Sequence, residues 1–354
     1  MSRTPLRRRV VPLLVLAAAG SLACPPVGFA QSQEDETDAH GYDKIRIEQE
    51  DKLLVPPGIV EPVWAFLQDR FVRDVDFLHS LDPSLTSSWS EELFHDTYFD
   101  TPTLQLHAMK SGVRHRTRLN LSNPADRKSG RELMQIKRND ISDNRLERGE
   151  IKFDIEHPTR PNSAEDRHPM LGMVKGEHRD PFKKRLVEMG LDPQKMRPIL
   201  TVHDTRRRVY ILQDGQPFMS ISFDQVTCGI WWAQTAFCEI EPELNEIGFT
   251  EASPQKRAYM ETLLHRVVGE IETRFPEIKR DLTPKYNKAF DRLQAQIPFL
   301  RTVVKLGMQA RSGMYNLGVI LLLGLCAAAW LGWMAWKGLR SRAPRVGPLA
   351  VPSA

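Results

Sequence analysis

The sequence predicts an α+β fold: an antiparallel sheet or barrel of about eight strands with helices packed outside, plus one C-terminal transmembrane helix. Three observations predict it. Period-two alternation recurs in short stretches along the middle of the chain. Few stretches there carry helical spacing. From Ser312 to Trp336 there is no charged residue at all.

The two ends read as targeting segments. Residues 1–9 are arginine-rich without an acid, and 10–23 are apolar but only about 14 residues long, too short to span comfortably. Gly28-Phe29-Ala30 then places small residues before Gln31, the pattern of a cleaved secretory signal. Ser21-Leu22-Ala23-Cys24 leaves lipidation at Cys24 open as an alternative. At the other end, 316–336 is about 21 residues, roughly 30 Å of helix, which matches a bilayer core. Trp330, Trp333 and Trp336 gather at its end as an interfacial belt, and Lys337, Arg340, Arg342 and Arg345 follow. The positive-inside rule therefore puts the tail in the cytoplasm. The expected protein is single-pass in the cell membrane, with its N-terminal domain periplasmic or extracellular. The domain organisation is a signal at 1–30, an acidic leader at 31–43, one domain at 44–300, a stalk at 301–315, the span at 316–336 and a basic tail at 337–354. Arg301, Lys305 and Arg311 lie on apolar spacing, so the stalk either follows the membrane surface or stands as a simple helix.

Within the domain, 44–54 alternates as a strand, and Val60, Val63, Trp64, Leu67 and Phe71 have helical spacing. Further extended stretches are 97–99, 113–121, 133–138 and 150–156. Residues 162–196 read as an insertion of short helices, before strands at 199–212, 218–228 and 237–244 and helices at 253–275 and 284–296. Of four cysteines, only Cys228 and Cys238 fall in the domain. They stand equally far from a turn centred on Ala233, which makes them expected cross-strand neighbours, and export permits a disulfide between them. Trp231-Trp232 occupy that loop, where they either pack or meet a membrane or partner.

Charge totals, 49 basic against 45 acidic residues, say little about partners. The alternation itself says more. Glu48, Glu50 and Lys52 share one strand face; so do Arg114, Arg116 and Arg118; Arg148, Glu150, Lys152 and Asp154; and Glu239, Glu241 and Glu243. One such face is ordinarily solvated. Several in one domain suit the lumen of a barrel. Basic groups grip phosphate oxygens, and carboxylates at this spacing offer oxygen ligands to a hard cation such as Mg²⁺ or Mn²⁺. The ten histidines form no zinc motif, and no GxSxG, Walker A or GxGxxG is present. Arg206-Arg207-Arg208 sits within a strand without interleaved aromatics, so nucleic acid is not an expected partner.

These residues resemble a known family. Glu48-Gln49-Glu50-Asp51-Lys52 matches the ExExK signature of the CYTH, or triphosphate tunnel metalloenzyme, superfamily. Tyr98-Phe99-Asp100-Thr101-Pro102, Gly112-Val113-Arg114-His115-Arg116, Gln135-Ile136-Lys137-Arg138, Arg207-Arg208-Val209-Tyr210, Ile221-Ser222-Phe223-Asp224, Glu239-Ile240-Glu241-Pro242-Glu243-Leu244 and Pro284-Lys285-Tyr286 follow in the family's order. Y-F-D-T-P and Lys137-Arg138 also resemble the VTC polyphosphate polymerase branch. The resemblance implies an eight-stranded antiparallel β tunnel for triphosphate or polyphosphate, with divalent-metal-dependent phosphohydrolase activity. It implies phosphate binding by Lys52, Arg114, Arg116, Lys137, Arg207 and Lys285. It implies catalytic and metal-holding roles for Glu48 and Glu50, with Glu239, Glu241 and Glu243 as further ligands to Mg²⁺ or Mn²⁺. Arg206 and Arg208 are the alternative to Arg207, because strand parity there is open. Pro242 departs from the family pattern and predicts an edge or a bulge. A polyanion-binding module without turnover and a VTC-type polymerase remain as other readings.

Overall fold

The computed structural model describes residues 45–125, 129–139, 147–157, 163–230 and 232–311. In chain order the elements are β1 (Arg46–Gln49), β2 (Leu53–Val55), α1 (Val60–Gln68), α2 (Val75–Leu81), β3 (Leu85–Asp100), α3 (Gln105–Ala108), β4 (Gly112–Asn120), β5 (Glu132–Arg138), β6 (Glu147–Asp154), α4 (Arg179–Glu188), β7 (Arg197–Gln213), β8 (Gln216–Ile230), β9 (Ala233–Leu244), α5 (Glu246–Glu251), α6 (Pro254–Arg274), β10 (Lys279–Arg280), α7 (Lys285–Gln296) and α8 (Leu300–Arg311). The strands form one curled antiparallel sheet of ten, in the order β1-β6-β5-β4-β3-β7-β8-β9-β2-β10. β1 and β2, far apart in that order, belong to one stretch of chain. It pairs with β6 through its first half and with β9 through its second.

Pro242 lies in register within β9, opposite Ile221. Its carbonyl accepts from Asp51 N–H at 2.9 Å, so the side on which it lacks a donor faces residues 50–52. There the ladder is interrupted: β1 ends at Gln49, β2 begins at Leu53, and a single pair, Glu50↔Glu243, stands between them. The expected edge or bulge is instead a gap on one side of an otherwise regular strand.

Alternation sorts the sheet's two faces. Val209, Ile211, Ile221, Phe223 and Ile240 face outward beneath α1, α2 and α6. Val113, Met134, Ile136, Ile151 and Phe153 do the same beneath α4. Asp74 and Ser253 cap α2 and α6 by accepting from Phe77 N–H (2.9 Å) and Lys256 N–H (3.2 Å). Asp214 and Gly215 both adopt positive φ (51° and 74°), which makes the tight β7–β8 turn. A third core lies where α7 crosses one end of the inner face. Tyr286, Ala289, Phe290 and Leu293 pack there against Tyr98, Val202, Val226 and Cys228.

The hairpin corrects the disulfide expectation. β8 and β9 meet at Ile230↔Ala233, so the turn is not centred on Ala233. Cys228 stands opposite Thr235 and Cys238 opposite Gln225. The two side chains fall on opposite faces, Cys228 in the core under α7 and Cys238 in the core under α1 and α6. Both are free and buried. Burial pushes the Cys228 thiol up to about 11 and the Cys238 thiol higher. The signal, leader, span and tail, with Cys24 and Cys326, lie outside the described residues. Among the described residues no helix is long and apolar enough to cross a membrane.

Candidate functional site

Away from the end crossed by α7, the inner face of the sheet is largely charged. Even-numbered residues of β3, β4, β6, β7 and β8 and odd-numbered residues of β5 and β9 share it, as the register requires. Three groups of ion pairs fill it.

The first is built on Asp96 of β3, which is fully buried. Arg116 donates to both of its oxygens, each at 2.7 Å, and Arg114 to Oδ2 at 3.0 Å. Burial works against the charged carboxylate, but the two guanidinium groups outweigh it and hold Asp96 well below the usual carboxylate range. Arg114 also donates to Gln135 Oε1 at 2.6 Å, and Gln135 donates on to Glu150 at 3.0 Å. Arg116 lies 4.2 Å over the Phe94 ring. These two arginines are therefore fixed in place before any ligand arrives.

The second group joins the sheet's two ends. Lys137 Nζ lies 2.5 and 2.8 Å from the Glu48 oxygens. Lys52 pairs with Glu50 at 3.1 Å and with Glu241. Arg148 lies 3.4 Å from Glu50. Burial favours the neutral Glu50, yet Lys52, Lys137 and Arg148 hold it below its ordinary value. Glu243 is pushed well above its ordinary value by burial and by Glu48.

The third group is acidic. Oxygens of Asp224, Glu239 and Glu241 all lie within 4.8 Å of one another. Lys285, the first residue of α7, reaches into them: 2.5 Å to Asp224, 3.0 Å to Asp204, 3.4 Å to Glu241 and 3.5 Å to Glu239. Arg206 grips both Asp224 oxygens at 2.6 Å and Glu241 at 2.9 Å, and Lys288 holds Glu239 at 2.7 Å. Burial and the neighbouring Asp224 raise Asp204 to about 6.

Glu48, Glu50, Lys52, Arg114, Arg116, Lys137, Glu239, Glu241, Glu243 and Lys285 therefore share one face. Arg207 does not. It points outward to Glu61, 3.1 Å away, and lies over Trp64. The inward arginines of β7 are Arg206 and Arg208. Val209 and Ile211, core residues on Arg207's parity, carry the signal that separates them. Asp96, Asp204, Asp224 and Lys288 were not expected at the site; for Asp224 the signal is its register with Glu239.

The acidic group offers oxygen ligands only, which suits a hard divalent cation. Asp204 Oδ1 is buried and accepts no hydrogen bond, so a lone pair remains available there, whereas Glu50 Oε1 and Glu239 Oε1 are held by cations that an incoming metal would have to displace. Asp224, Glu239 and Glu241, with Glu50 and Glu48 on the stretch next to β9, are the residues that fit such an ion.

Fold and site define a protein whose curled antiparallel sheet carries a charged inner face. The CYTH domain family model matches residues 74–256, just over half the chain, and the chain belongs to that family. No curated protein matches it. Among solved structures it is similar to a Bacillus halodurans protein named as a candidate adenylate cyclase (15% identity, TM-score 0.37, covering 64% of this chain and 91% of that one). It is similar also to the S. pombe Pct1 RNA triphosphatase in complex with the Spt5 CTD (13%, 0.31, 69% and 87%). A third is the Mimivirus capping enzyme triphosphatase (10%, 0.30, 65% and 90%).

Proposed function

We propose that the inner face is a closed tunnel, with 46–55 counted as one strand of eight, that binds triphosphate or polyphosphate and hydrolyses it with a divalent metal. The observation that carries this reading is the lumen's two-sided chemistry. Pre-fixed Arg114 and Arg116 face phosphate oxygens from one wall, and the Asp224–Glu239–Glu241 carboxylates stand together on another. Lys52, Lys137, Arg206 and Lys285 then add positive charge between the walls. A bound Mg²⁺ or Mn²⁺ would polarise the phosphoryl group and favour an attacking water. The chain's own basic residues would hold the phosphate chain and screen its charge.

We place this domain outside the cytoplasm, anchored by 316–336, where nucleoside triphosphates are scarce; an inorganic or envelope phosphate chain then suits it better than a nucleotide. A reporter fused after Ala354 should give a cytoplasmic signal; an external signal would invert the topology and favour a VTC-type polymerase. The test of the reaction is the purified chain assayed for phosphate release from tripolyphosphate and polyphosphate with Mg²⁺ and Mn²⁺. Glu48→Gln and Glu50→Gln should each bring release to the uncatalysed background; undiminished activity in both would sink the hydrolase. One observation favours a binding module without turnover: Lys285 already sits among the four carboxylates. Tight tripolyphosphate binding with no release under any metal would establish that reading.

A further inference from the structure

The lumen has a polarity along its axis. At one end α7 crosses it, with Lys285, Tyr286, Asn287, Lys288 and Phe290 all buried. Tyr286 stacks on Tyr98 at 5.1 Å and donates to Asp100 at 3.0 Å, and Asn287 donates to the His107 carbonyl at 2.7 Å. That end is plugged. Away from it the inner face opens: along β7, Asp204 and Arg206 are buried, whereas Arg208 and Tyr210 are half-buried, as are Ser220 on β8 and Glu243 on β9. A ligand therefore enters from the end opposite α7.

The outer surface of the plugged end combines exposed apolar and basic side chains. The β8–β9 hairpin, the turn after α7 and α8 share the core under α7, through Ile230, Ala233, Ile297, Leu300 and Val304. Gln296 donates to Gln234 O at 2.8 Å, which fixes the hairpin to that turn. From this shared base large apolar side chains project to solvent: Trp232 is 70% exposed, Phe299 51% and Leu306 39%. α8 carries Arg301, Lys305 and Arg311 and no acid. Its sequence runs on directly into the uncharged stretch 312–336. Exposed aromatic and apolar side chains beside basic ones fit the interfacial zone of an anionic bilayer.

We propose that the plugged end docks on an anionic lipid surface through Trp232, Phe299 and α8, so that the open mouth is turned away from the membrane. The substrate class follows: a soluble phosphate chain arriving from the aqueous side, not a lipid-linked diphosphate. This rests on reading 316–336 as a membrane span and the lumen as a phosphate site. β8 has 15 residues, at most roughly 45 Å of strand, which at the tilt of a barrel strand separates the two ends by roughly 35 Å along the axis. The mouth is thus beyond the reach of headgroups on the same membrane.

The test uses the full chain in phosphatidylcholine vesicles with and without phosphatidylglycerol. Nitroxide labels are placed through Trp232→Cys, Phe299→Cys and, as the far-end control, Gln216→Cys, with the parent protein labelled in parallel. Labels at 232 and 299 should collide with oxygen in the lipid and be shielded from a water-soluble nickel chelate. The label at 216 should show the reverse. Phosphatidylglycerol should strengthen the contrast, and Lys305→Glu should weaken it. Tripolyphosphate should bind with the same Kd in vesicles and in detergent, and a lipid diphosphate in the same bilayer should not compete. Labels at 232 and 299 open to the nickel chelate, on a chain that resists alkaline extraction, would overturn the docking and leave the span standing. Dipolar broadening between labels without lipid contact would overturn it in favour of a second copy. A chain removed by alkaline extraction would overturn both docking and span. Competition by the lipid diphosphate would overturn the substrate class, whereas absence of any phosphate binding would overturn the lumen reading alone.

Discussion

Lys285 stands where four carboxylates converge, sharing them with Arg206 and Lys288. It comes from the first turn of α7, so the helix that closes the lumen also neutralises its acids. The acids hold Lys285 well above its ordinary value although burial opposes its charge. Removing one partner of a buried ion pair costs about 3–5 kcal/mol because the other is left uncompensated. Lys285→Met should therefore lower the stability of the metal-free protein by about that amount. If the acids can hold a divalent cation, Mn²⁺ should return part of this loss, raising the Tm of the variant more than that of the parent. Equal metal shifts in both proteins would place the cation elsewhere. Of the expected metal set, Glu48, Glu50, Glu239, Glu241 and Glu243, the pair Glu239 and Glu241 falls in the acidic group and was legible from period-two spacing. Asp224 joins the group only through strand register, and Lys285, expected at the site as a phosphate-binding residue, reaches the acids through the helix crossing, which spacing within one segment does not carry.

Charge alternation identified β1, β4, β6 and β9 in the sequence because each keeps like residue types on one face over several positions. β3 was legible only at its end, 97–99, although it runs from Leu85 to Asp100. Its inner face holds Ser90, Glu92 and Asp96 and its outer face an exposed Trp89 and Leu93, so neither side reads as a core. At 206–208 three arginines in a row erase the alternation, and the inward pair is recovered only from Val209 and Ile211 beyond them. The insertion before β7 was legible as short helices but not its internal hold. His168 Nδ1 accepts from Met170 N–H at 3.2 Å and Leu171 N–H at 3.1 Å, which needs a neutral imidazole. Burial and the adjacent Arg197 lower it to about 4. A base lowered on folding contributes stability that is complete above its unfolded value of 6.5 and is lost as pH falls towards 4. The protection factors of amides 168–173, which are free of the intrinsic pH dependence of exchange, should fall across that window in the parent. In His168→Asn, whose side-chain oxygen can accept but cannot titrate, the pH dependence should vanish.

At the scale of the molecule, the inner face is extensively ion-paired without ligand, and this decides how binding should appear. Ligand that binds only the folded state adds RT ln(1 + [L]/Kd), about 2.7 kcal/mol at a hundredfold excess over Kd. For a domain of this size that is a rise in Tm on the order of 5–10 °C. The shift tests the assignment of the two faces, because β7 presents Arg206 inward and Arg207 outward from adjacent positions. Arg207→Ala removes an exposed contact to Glu61 and should leave the tripolyphosphate shift intact. Lys137→Met removes a lumen cation that is 22% exposed and paired with Glu48, and it should shrink the shift without unfolding the protein. Arg206→Met should abolish the shift and also lower the starting Tm, since it strips Asp224 and Glu241 of a shared partner. Retention of the full shift in Lys137→Met together with its loss in Arg207→Ala would mean that the phosphate chain binds outside the sheet. The inner lattice would then be a structural device rather than a binding site.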